Sequence, residues 1–61
     1  MSSTERFAIK AKAELIDDVL GGLRKLGATV AGVSYTNDEF IVIYTADKEV
    51  TLEDCLISMK N

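Results

Sequence analysis

The chain is predicted to be a single small α+β domain of order β-α-β-β-α, and three features of the sequence point there. Residues 6–13 (RFAIKAKA) alternate with a period of two. Residues 14–26 switch to helical periodicity, and residues 29–45 return to two extended segments around an Asn-Asp turn. A hydrophobic fraction of 48% against 28% charged residues argues for a packed globule. At 61 residues it sits near the lower limit of what folds alone, so binding, commonly of a second copy, is an expected source of stability.

In the first strand Phe7, Ile9, Ala11 and Ala13 share one face, with Lys10 and Lys12 on the other. In the first helix, residues 14–26, Leu15, Ile16, Val19, Leu20, Leu23 and Leu26 form the apolar stripe. Acidic Glu14, Asp17 and Asp18 open it and basic Arg24 and Lys25 close it, as the helix dipole favours. Ala13 offers no capping oxygen, which leaves the start of this helix undefined. Gly27 stands where a left-handed residue ends a helix.

Strands at 29–35 and 39–45 follow, joined by Thr36-Asn37-Asp38, residue types suited to a tight turn. The run FIVIY at 40–44 is apolar on both faces, which predicts a central strand or one whose open side is covered. Thr51 is an N-cap candidate with Asp54 three residues on, and Val50 and Cys55 occupy the positions of a hydrophobic staple. Leu52, Cys55, Leu56 and Met59 then form the stripe of a short helix ending near Lys60.

This order resembles a ferredoxin-like (split βαβ) arrangement that stops before its fourth strand: an incomplete, three-stranded sheet with helices on one face. Residues 1–5 read as a disordered tail and 6–61 as the domain. The first strand would then be a sheet edge, with Lys10 and Lys12 guarding it against indiscriminate pairing. A partner is expected at that edge or on the uncovered sheet face.

Most chemistry is disfavoured. GLRKLGAT, residues 22–29, approaches a phosphate-binding loop, but the helix precedes Gly27 and Ala28 replaces the lysine. With no histidine, the commonest general base near neutral pH is missing, and Cys55 falls on an apolar stripe. A calcium loop from Asp47 would have Leu52 at the glycine position and Ser58 at the glutamate position. No catalytic residue, metal or cofactor is therefore expected. Close packing on the sheet accounts for Gly22, whereas Gly21 has no packing reason and marks a place where a partner could reach the helix.

The expected function is a small non-enzymatic, protein-binding regulator or inhibitor of a larger protein, acting as a homodimer. Stoichiometric inhibitors that viruses carry against host enzymes or defence systems have this size and character. The expected contacts are Lys10, Lys12, Gly21, Tyr35, Asn37, Asp38, Glu39 and, if that face of the strand is the outward one, Phe40 and Tyr44. One alternative is a nucleic-acid-binding sheet like that of RNA-recognition motifs, which stack bases on strand aromatics. EFIVIYTA lacks their basic-Gly-aromatic opening, and the net charge is −3. A second alternative resembles the ACT-type small-molecule sensors, although Ala13-Glu14 stands where those carry a Pro-Gly turn. The single cysteine, the polar start MSSTER and the lack of a long apolar run fit a complete cytoplasmic product without a membrane span.

Overall fold

The computed structural model describes residues 4–60. The elements are β1 (Glu5–Lys12), a 3-10 turn (Ala13–Leu15), α1 (Ile16–Lys25), β2 (Thr29–Thr36), β3 (Glu39–Ala46) and α2 (Leu52–Lys60). Of the tail expected at residues 1–5, residues 1–3 lie outside the described residues, and Glu5 already belongs to β1. The three strands form one antiparallel sheet in the order β1-β3-β2. The apolar run in β3 thus lies in the central strand, and β1 and β2 are both edges.

Residues directly opposite in antiparallel strands share a face. Ile9 and Ala11 of β1 and Phe40, Val42, Tyr44 and Ala46 of β3 form the core with Val19 and Leu23 of α1, Val50, and Cys55 of α2. Both helices therefore lie on one side of the sheet. No residue of β2 belongs to that core, and its only residue that is not exposed is Gly32. A register shift between Val30 and Gly32 makes Ala31 a bulge, which is the role a strand glycine beside it suggests.

The helices meet each other at a glycine. A Cβ on Gly22 would lie 2.6 Å from the Cα and 2.7 Å from the carbonyl oxygen of Cys55, so only hydrogen fits at this seam. The close approach expected at Gly22 exists, but it is to α2 and not to the sheet. Gly21 also has a neighbour: its Cβ would come within 2.9 Å of the Met59 sulfur. Its expected role as a partner contact is corrected accordingly, because α2 lies alongside α1 and occupies the side that sequence periodicity marks as outward.

Local signals explain where the elements stop. α1 lacks a side-chain cap and is entered through the 3-10 turn, with the Ile16 N–H donating to the Ala13 carbonyl. It ends in a Schellman motif: Ala28 N–H donates to Leu23 O at 2.9 Å, and Gly27 N–H to Arg24 O at 3.2 Å. Gly27 carries the positive φ of 85° this motif needs. In the hairpin Asn37 takes φ 54°. At α2, Asp54 N–H donates to Thr51 Oγ1 at 3.1 Å and Thr51 N–H to Asp54 Oδ2 at 3.2 Å, a reciprocal capping box.

The seam yields a contrast between adjacent residues. Gly22→Ala drives a Cβ into backbone and should lower unfolding free energy by about 1–3 kcal/mol despite better helix propensity. Gly21→Ala meets only the mobile end of Met59 and should be neutral, or stabilising by up to about 1 kcal/mol. Urea denaturation measures both; equal effects would contradict the seam.

Candidate functional site

The sheet presents two surfaces that no helix covers. The first is the face opposite the helices. Pairing of Arg6 with Thr45, Ala8 with Ile43, Lys10 with Ile41 and Lys12 with Glu39 places all eight there. Ile41 and Ile43 form its half-buried apolar centre, with Ala8 beside them. Arg6, Lys10 and Lys12 make a row of exposed cations along β1, local excess positive charge on a chain whose net charge is −3. Lys10 Nζ lies 3.7 Å from Glu39 Oε1, a solvent-exposed pair that orients more than it stabilises. Of the residues expected from sequence, Lys10, Lys12 and Glu39 are brought together here. Arg6 extends the row; the same alternation that separates Lys10 and Lys12 from Ile9 would have found it.

The second surface is β2. Tyr35, 65% exposed, pairs with Phe40, and Val33 with Val42, so both stand on the helix side of the sheet but outside the buried core. Val30 joins them because the bulge returns it to the same side, opposite Tyr44. Leu20, Arg24, Ala28, Thr29, Val30 and Val33 line a groove between α1 and this strand. Asn37 and Asp38 form the exposed turn at its end, where the Asp38 carbonyl accepts from Ala13 N–H at 2.8 Å.

Phe40 and Tyr44 are corrected as contacts, since both are 0% exposed and face the helices. Alternation along β3 must send either the aromatic or the isoleucine set inward, and the larger side chains fill the space beneath α1 and α2. Phe7 packs on Tyr44 with ring centroids 5.5 Å apart. All four aromatic side chains, Phe7, Tyr35, Phe40 and Tyr44, thus lie on the helix side, leaving the open face without a stacking surface.

Tyr44 has a structural task that sequence reading missed. Its hydroxyl donates to Val50 O at 2.8 Å and accepts from Val50 N–H at 2.9 Å. One side chain thereby satisfies both backbone groups of the residue that precedes the N-cap of α2. Burial raises the phenol above its usual value near 10.0. Burial, aided by the Asp54 charge, likewise raises the Cys55 thiol above its usual value near 9.0, opposite to what a nucleophile requires.

A cleft of about 590 Å³ between the end of α1, the β3–α2 loop and α2 includes Leu26, Asp47, Glu49, Asp54 and Ile57 in its lining. Asp54 is already engaged in the capping box. Among the described residues no cluster of His, Cys, Asp and Glu could hold a metal ion, no buried side-chain polar atom lacks a partner, and no helix is long and apolar enough to cross a membrane. Comparison of the chain with protein-family models, with curated proteins and with solved structures finds no match in any of the three.

The buried phenol and thiol make alkaline stability a readout of the core. The unfolded groups lose their protons near their ordinary values while the folded ones keep them, so the unfolded state gains and stability falls as pH rises. Denaturation midpoints should hold steady below pH 9, fall from there with Cys55 and steepen near pH 10 with Tyr44. Tyr44→Phe should lose the steeper part, and at neutral pH should cost about 1–3 kcal/mol by stranding Val50's backbone groups. A Tyr44→Phe protein as stable as wild type would show that the hydroxyl does not tie this loop.

Proposed function

We propose that this chain is a non-enzymatic protein-binding module, a small regulator or stoichiometric inhibitor that docks the uncovered face of its sheet on an acidic surface of a larger protein. The observation that carries the reading is the Arg6, Lys10 and Lys12 row flanking the Ile41 and Ile43 centre on a face no helix covers. An apolar centre with a charged rim is the usual anatomy of a protein contact, and the cations select a partner of opposite charge. The module acts as a homodimer in the cytoplasm, and inhibitors carried by viruses against host enzymes or defence systems are the class it fits. Its topology is that of a split βαβ unit without a fourth strand. The order β1-β3-β2 and the helix between β1 and β2 support this.

A nucleic-acid role is less well supported, because base stacking needs aromatics on the open face and all four lie on the other side. A small-molecule sensor would use a pocket formed between two copies, which a ligand-dependent rise in melting temperature would reveal.

Immobilised protein exposed to extract of its own cell should retain an acidic protein that Lys10→Glu/Lys12→Glu fails to retain. Binding should weaken with salt, while the variant's circular dichroism stays unchanged. Equal retention by the variant, or retention of nucleic acid in place of protein, would overturn the reading.

A further inference from the structure

An antiparallel ladder alternates between pairs that exchange hydrogen bonds and pairs whose backbone groups point away from each other. Ala13 N–H donates to Asp38 O at 2.8 Å, which continues the β1–β3 register by one pair of the first kind. Counting back, the pairs of Ala11, Ile9 and Phe7 with Phe40, Val42 and Tyr44 are of that kind too. The pairs made by Lys10, Ala8 and Arg6 are of the other kind, so their N–H and C=O groups point out from the free edge of the sheet. Among the described residues no backbone hydrogen bond from another element reaches these groups. The side chains of the same residues, with that of Lys12, stand on the open face. Open backbone and cations thus belong to one set of residues.

We propose that β1 takes an added antiparallel strand, an extended segment of the partner with acidic side chains opposite Lys12, Lys10 and Arg6. This rests on the acidic-partner reading above and deepens it by naming the mode of contact. Opposed residues in antiparallel strands share a face, so each carboxylate lies beside its cation on the open side. The partner backbone meanwhile exchanges hydrogen bonds with Lys10, Ala8 and Arg6. The intervening residues fall opposite Ala11, Ile9 and Phe7 on the helix side, where apolar side chains fit beside half-buried Phe7. Over seven residues the segment is acidic at its first, third and seventh positions and apolar at its second, fourth and sixth. In such strand addition main-chain bonds supply affinity and alternate side chains supply specificity.

Charge selects this occupant. Cations on an edge strand turn away apolar strands and admit an acidic one. Among the described residues Arg6 and Lys12 make no ion pair, and Lys10 has only its exposed contact with Glu39 at 3.7 Å. A second copy is disfavoured here, because two-fold pairing of β1 with itself would crowd Arg6, Lys10 and Lys12 against their own copies.

A blocked heptapeptide, Glu-Val-Glu-Val-Thr-Val-Glu, tests this on the full chain by NMR titration. It should bind with a dissociation constant of about a millimolar or below and slow exchange of the Arg6, Ala8 and Lys10 amides. The Val33 and Tyr35 amides at the other edge should not change. N-methylation of its third residue, whose N–H faces Lys10, should weaken binding about tenfold or more. N-methylation of its fourth residue, whose N–H faces away, should change binding by less than about threefold. Lys10→Glu should weaken the unmodified peptide about tenfold. Equal binding of the two methylated peptides would overturn strand addition and leave the acidic docking face standing. No binding of the unmodified peptide at several millimolar would also overturn the added strand, while retention of an acidic protein from extract still reads the docking face separately. Protection that appears along β2 in place of β1 would overturn the choice of edge.

Discussion

The arrangement depends on one close contact, that of α1 with α2 at Gly22. Because a hydrogen stands where any side chain would meet the Cys55 backbone, the two short helices draw together over β1 and β3. Their buried side chains meet those of β1 and β3, and no residue of β2 joins that core. The seam thus helps a 61-residue chain close a core over two of its three strands.

Around that seam, polar groups do the positioning. The Tyr44 hydroxyl holds both backbone groups of Val50, and the Thr51–Asp54 box begins α2 immediately after. These contacts fix the entry angle of α2 and so the height at which Cys55 meets Gly22. The two uncovered surfaces follow from the same geometry. One face bears apolar residues rimmed by cations, and one edge bears almost nothing but backbone, β-branched and small side chains. Recognition of an acidic partner is the task we propose for the face.

Much of this was legible in the sequence. The alternation of β1, the stripes of both helices, the Gly27 stop, the Asn37 turn and the Thr51 box are local signals, read within a few residues of where they act, and the structure has them, except that Leu26 and Met59 at the ends of the two stripes are exposed. What periodicity could not supply was the relation between elements. Gly21 reads as outward because a helical wheel has one reference, the sheet, whereas α2 is a second surface that only the assembled fold provides. Phe40 and Tyr44 could face either way, since FIVIY is apolar at every position and only helix placement breaks the tie. In β2 the bulge puts Val30 and Val33 on one side although they stand three apart, which a period of two assigns to opposite faces.

The core that the helix seam closes takes in β1 and β3 and leaves β2 outside it. Amide hydrogen exchange, followed residue by residue, tests this most directly. The β3 amides and those of both helices around Gly22 and Cys55 should exchange only on global unfolding, and the β2 amides that face away from β3 should exchange fast. Protection of those β2 amides equal to that of β3, or a Gly22→Ala protein that keeps full protection in both helices, would contradict it.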